Sequence, residues 1–202
     1  MIELAKYRCW TEREGKTDIK RKAFCLANFH DKLIFLIAGN GGGSELKSVQ
    51  RYSLRQNSWS KVAELNQPRE LASACSQGNH VYVFGGRTQY LATFVQRNRS
   101  GPVFSYSESR SSSLNSIEKL INPTGASNQP TTWQLIEIPA EIVKPRNDAG
   151  FVPLNTHEIV ILGGKSEKRN RESLGKIHLF NSQTNEVKGF TNNDFKFVVE
   201  TN

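Results

Sequence analysis

Apolar residues along this chain gather in short runs that end in a pair of small residues. The arrangement occurs three times: LIFLIAG at 33–39, HVYVFGG at 80–86 and EIVILGG at 158–164. Runs of this length, without a 3.6-residue spacing, read as strands buried on both faces. A stretch rich in small residues precedes each of them: AFCLANF at 23–29, LASACS at 71–76 and DAGFVP at 148–153. The polar turns HDK at 30–32, QGN at 77–79 and NTH at 155–157 separate the two. Two more strand-like segments follow, anchored by Tyr52 and Trp59, by Leu120 and Trp133, and by Phe180 and Val187. Each unit thus predicts four short strands joined by hairpins, an antiparallel meander.

The units recur at 47 residues and then at 78, which places an insertion of about thirty residues in the second unit. One four-stranded sheet cannot bury both of its faces, so the repeated sheets must stack around an axis. The small pair supplies backbone angles closed to other residues and room for a bulky neighbour. Trp59 and Trp133 are expected to fill that room between adjacent sheets, which pack about 10 Å apart.

The residues Gly85-Gly86, Gly163-Gly164, the Tyr52 and Trp59 pair, and the starts Pro68-Arg69 and Pro145-Arg146 resemble the kelch repeat, the blade of kelch β-propellers. The likeness covers about 21–190 and departs from the pattern at Ala38, Leu120, Phe180 and Val187. It implies an all-β fold: a kelch-type β-propeller segment of three to four four-stranded antiparallel blades. Residues 21–67 form the first blade, 68–144 the second with insertion 87–116, and 145–194 the third. Residues 1–20 are an N-terminal extension or, through Tyr7 and Trp10, the outer strand of a preceding blade. Residues 195–202 form a C-terminal strand or tail. Kelch propellers have more blades than three, and an open arc exposes the apolar flanks of its end sheets. Completion of the ring by a second copy, by another chain, or by further blades of a longer chain of which this sequence is a piece is therefore expected.

Charge narrows the partners. Lys and Arg number 27 against 19 Asp and Glu, leaving +8 over 202 residues. That balance favours an acidic protein face, nucleic acid or an anionic surface, and is met equally by a solubilising excess of basic residues. The beginning of the chain lacks the apolar core of a signal peptide, and the longest apolar run, 33–38, is too short to span a bilayer. Cys9, Cys25 and Cys75 have no CxxC spacing and read as small buried hydrophobes in a reducing compartment. The expected location is cytoplasmic, without a membrane span. The kelch likeness implies cytoskeletal or ubiquitin-ligase adaptor roles. The second needs a BTB or F-box region, for which 1–20 is too short, so cytoskeletal association is favoured.

Strand direction selects a binding edge. In a four-strand meander, the loops from strand two to three and from strand four to one emerge together. The two-to-three segments are 39–48, 87–116 and 165–176, and each of the last two carries a net +3. Loops on a rigid scaffold are the usual place of recognition. The predicted partner-binding residues are therefore Arg87, Arg97, Arg99, Arg110, Lys165, Lys168, Arg169 and Arg171. Tyr90, Phe94, Phe104 and Tyr106 are aromatic anchors that order against a partner, and the serine tract 105–113 reads equally as flexible or as a phosphorylation target.

No catalytic, cofactor or metal site is expected. GNGGG at 39–43 lacks the Gly-Lys-Ser/Thr and helix of a phosphate cradle. His30, His80 and His157 fall at equivalent positions of separate units, and Asp148 and Glu158 form no carboxylate pair. The expected function is a non-catalytic protein–protein interaction scaffold. It would be a subunit of a larger cytoplasmic or cytoskeletal assembly that binds an acidic protein. The alternatives are a nucleic-acid-associated basic scaffold, with Trp10, Trp59 and Trp133 as stacking candidates, and a propeller enzyme acting on a small molecule.

Overall fold

The computed structural model describes residues 17, 20–97, 103–125, 130–166 and 175–190, and every strand pairing among them is antiparallel. No helix among these residues is long and apolar enough to cross a membrane. The Tyr7–Trp10 segment, the strand expected at 195–201 and Cys9 lie outside the described residues.

Blade I comprises β1 (Cys25–Phe29), β2 (Leu33–Ile37), β5 (Val49–Ser53) and β6 (Ser58–Val62), with a small hairpin of β3 (Asn40–Gly41) and β4 (Ser44–Glu45) between the second and third. Blade II comprises β7 (Ser73–Gln77), β8 (His80–Phe84), β11 (Ile117–Ile121) and β12 (Thr132–Ile136). Its insertion forms β9 (Arg87–Arg97) and β10 (Val103–Ser113). Blade III comprises β13 (Gly150–Pro153), β14 (Glu158–Leu162), β15 (His178–Asn181) and β16 (Val187–Gly189). Each blade is the meander expected from the hydrophobic pattern. The first strands β1, β7 and β13 are neighbours, so they line the axis and the fourth strands face outward.

Alternation within each sheet divides its side chains between two cores. Cys25, Ala27, Phe29, Phe35, Ile37 and Val49 of blade I pack on Val81, Val83, Leu120 and Trp133 of blade II. The opposite side of blade II, with Cys75, Tyr82, Phe84 and Ile117, packs on Ala149, Phe151, Ile159, Ile161 and Phe180 of blade III. Aromatic contacts cross this second seam: the Phe84 and Phe151 ring centroids lie 5.5 Å apart, and those of Tyr82 and Phe180 lie 6.0 Å apart. Burial pushes the Cys25 and Cys75 thiols up to about 12, which keeps both neutral and unreactive within these cores.

The small pairs act through backbone geometry. Ala38, Gly85 and Gly163 adopt φ of +56°, +63° and +58°, and the glycines after them +95°, +89° and +94°. At Gly86 a Cβ would sit 2.7 Å from the Glu70 carbonyl oxygen and 3.0 Å from the Ala72 Cβ. The first position carries an alanine in blade I, whereas at Gly85 a Cβ would sit 2.7 Å from the Arg146 carbonyl oxygen. Gly86→Ala is accordingly expected to cost about 1–3 kcal/mol, read as a lowered urea midpoint at unchanged slope.

Two expectations need correction. Trp59 does not fill an inter-blade space; it is half-buried on the outer face of blade I, tilted against Tyr52 at 5.1 Å, because no described blade precedes it. The second strand is not buried throughout in blade III, where Leu162 is exposed for the corresponding reason at the other end.

Candidate interaction surface

The shared edge is built by one repeated device. The residue after each small pair bridges to the four-to-one connector: Lys22 with Asn40, Glu70 with Arg87, and Asn147 with Lys165. Each bridge is a reciprocal pair of backbone hydrogen bonds, for example Glu70 N–H to Arg87 O at 3.0 Å and Arg87 N–H to Glu70 O at 2.9 Å. Three two-to-three segments therefore leave the arc side by side.

The largest is an ordered arm. β9 and β10 pair over their whole length, from Arg87 opposite Ser113 to Arg97 opposite Val103. Eleven residues of strand extend about 36 Å. Neither strand pairs with any other described strand, and the serine tract is β10 itself. The pairing sorts the arm into two faces. Tyr90 is opposite Arg110, Ala92 opposite Glu108 and Phe94 opposite Tyr106 on one; Gln89, Leu91, Thr93, Val95, Ser105, Ser107, Ser109 and Ser111 occupy the other. On the aromatic face Phe94 stacks on Tyr106 at 5.4 Å, and the Arg110 guanidinium lies 4.3 Å above the Phe94 ring. Tyr90 and Tyr106 remain 49% and 48% exposed, enough for either ring to serve as a docking anchor. On the opposite face Thr93 hydrogen-bonds Ser107 and Ser109 donates to Gln89. At the base, Asn147 Nδ2 donates to Ser113 Oγ at 3.0 Å and ties the arm to the blade III connector.

The predicted basic residues take different places. Arg87 is half-buried and held by Glu70 at 2.6 Å. Arg110 sits on the arm 3.5 Å from Glu108, and Lys165 lies 3.6 Å from Asp148. Arg97 ends β9. Arg99, Lys168, Arg169 and Arg171 lie outside the described residues. The carboxylates of Glu70 and Asp148 come from the connectors, so a charge count over the loop segments overstates the positive field at the described part of this edge. Exposed pairs such as those of Arg110 and Lys165 hold weakly, about 0–1 kcal/mol each, and open readily towards a partner.

A second set of arginines escaped the sequence reading, which took Arg69 and Arg146 only as repeat markers and passed over Arg21. Arg21 Nη1 donates to the Ala38 carbonyl at 3.0 Å, Arg69 Nη1 to that of Gly85 at 2.8 Å, and Arg146 Nη1 to that of Gly163 at 2.8 Å. Each guanidinium thus caps the first residue of its small pair. The available signal was an arginine 16 or 17 residues ahead of that position in every unit. Arg69 is wholly buried and donates to Glu118 Oε1 at 2.7 Å. Glu118 also accepts from the Asn66 and Gln67 backbone N–H groups and from Asn66 Nδ2. Burial lowers the Arg69 pKa, and the Glu118 carboxylate opposes that shift. In blade III the equivalent third-strand position holds His178, which burial and Arg146 push down, so its imidazole is neutral near pH 7.

Among the described residues no three of the acids, histidines and cysteines converge as a metal set would. A hollow of about 490 Å³ bordered by Ile138, Ile142, Glu158 and Val187 lies towards the outer strands, away from the axis.

The architecture recurs in known proteins. Residues 21–66 match the family model described as Kelch motif. Kelch-like protein 15 of Gallus gallus is 33% identical over 94 residues, 44% of this chain and 19% of that protein. The Mus musculus and Homo sapiens proteins of the same name are likewise 33% identical over 94 residues, 15% of each. The chain thus spans less than a fifth of the length of these relatives. A solved structure titled "Structure of YjhT" superposes with a TM-score of 0.60 at 16% identity, over 87% of this chain and 47% of that one. With three meander blades on a common axis and the motif in the first of them, this chain is built of kelch-type β-propeller repeats.

Proposed function

We propose that the chain is a non-catalytic interaction module that engages an acidic protein partner through the two-to-three edge, as a subunit of a larger cytoplasmic assembly. The β9–β10 arm carries the reading. A free two-stranded hairpin with a half-exposed aromatic face is not required by the propeller, and it leaves the scaffold beside the other two segments. Tyr90, Phe94 and Tyr106 supply apolar anchors of the kind that dominate interface energetics. Arg110 sets a cation among them, and the chain's +8 steers an acidic surface towards the edge. Arg97, Arg99, Lys168, Arg169 and Arg171 extend the same field in this reading. In the relatives named Kelch-like protein 15 the matched stretch is 15–19% of the chain, so there it is one part of a longer protein.

The test is affinity capture from the native source with the full chain as bait, identification of the captured protein, and titration of that protein in purified form. Tyr90→Ser combined with Tyr106→Ser should weaken its affinity at least tenfold, and Arg169→Ala with Arg171→Ala should weaken it by a smaller, salt-dependent factor. Affinity unchanged by the tyrosine pair removes the arm from the site. Capture abolished by nuclease, with a steep salt dependence, would favour the rival in which the aromatic face stacks on bases.

A further inference from the structure

The repeat itself identifies what the two ends of the arc are shaped to meet. Aligning the units on their small pairs and strand registers places Phe24, Leu26, Ile34, Leu36, Tyr52 and Trp59 of blade I where blade II has Ala72, Ala74, Val81, Val83, Leu120 and Trp133. In blade II that set is the side packed on its neighbour. In blade I the same set lines an open groove of about 490 Å³, with Leu26 53% exposed. At the other end Val152, Val160 and Leu162 stand where Cys75, Tyr82 and Phe84 stand in blade II, and those three pack on the following blade. Val152 and Leu162 are 52% and 38% exposed. The chain therefore carries both halves of its own inter-blade interface, and both are uncovered by any described blade.

We infer that a second copy of this chain closes the ring. The outer face of blade I in each copy packs on the outer face of blade III in the other, around a twofold axis that coincides with the propeller axis. Two considerations favour this occupant. Each face has its chemical complement on the same chain. One twofold makes both junctions at once, so the contact closes instead of propagating. The internal seam supplies the register. Phe84 meets Phe151 and Tyr82 meets Phe180 between blades II and III. By equivalence Leu162 of one copy meets Leu26 of the other, and Val160 meets Tyr52. This inference is independent of the arm on the two-to-three edge.

Sedimentation equilibrium of the full chain tests it. The expected mass is twice 22.8 kDa, with no larger species. Leu26→Glu and Leu162→Lys, both at exposed positions, should each sediment at the single-chain mass with an unchanged far-UV spectrum. Mixing the two variants should restore the doubled mass, because one junction becomes a Glu–Lys pair and the other keeps its two leucines. A wild-type monomer, an open-ended polymer, a dimer insensitive to both substitutions, or variants that stay apart on mixing would each overturn the inference.

Discussion

Glu118→Ala should destabilise the protein by about 3–5 kcal/mol, because it strands a guanidinium inside the seam between blades I and II. Arg69 and Glu118 both have side chains fully removed from water, 2.7 Å apart. The carboxylate also holds the Asn66 and Gln67 backbone donors of the incoming connector, so its removal leaves several buried donors unmatched. Urea unfolding of wild type and variant gives the number. The double variant Glu118→Leu with Arg69→Met separates charge from packing: it should recover much of the loss, since two apolar groups of similar volume cost less than one orphaned ion. A single variant within about 1 kcal/mol of wild type would show that the pair is dispensable.

Trp133→Ala should cost a similar amount, about 3–5 kcal/mol, whereas Trp59→Ala should cost less than about 2 kcal/mol in the isolated chain. The two tryptophans hold the same repeat position, opposite Leu120 and opposite Tyr52. Their surroundings differ. Trp133 is buried in the seam and its indole N–H donates to the Ala63 carbonyl at 2.8 Å, joining the outer strands of two blades. Trp59 lines the open groove. Equal losses at the two positions would mean that Trp59 is covered to the same degree, and a concentration-dependent loss at Trp59 would point to the second copy as the cover.

Much of this architecture is legible in the chain. Continuous apolar runs ending in small pairs gave the second strands, and the alternating small residues before them gave the first. The observed first strands begin two residues later, at Cys25, Ser73 and Gly150, because Ala23, Leu71 and Asp148 take left-handed turns at φ near +54°. Only Asp148 is of a type that favours such a turn; at Ala23 and Leu71 nothing in the residue announces it, and the bridge just before each one imposes it. The arm was harder to read. Only Tyr90 and Phe94 in β9 and Phe104 and Tyr106 in β10 mark a period of two, and the serine-rich composition of β10 looks like a linker. Arg87 and Lys165 looked like free charges because their carboxylates stand 17 residues upstream, brought near only by the connector bridges.

What the linear order of residues decides by itself is periodic: where strands start and stop, which edge their loops share, and that sheets must stack, since local patterning and backbone sterics act over a few positions. What folding alone decides is pairwise and distant. It buries Arg69 on Glu118, neutralises the base of the edge, and separates a covered Trp133 from an uncovered Trp59. Burial and charge pairing depend on which sheet lies next door, and no neighbour is written into a residue's own repeat.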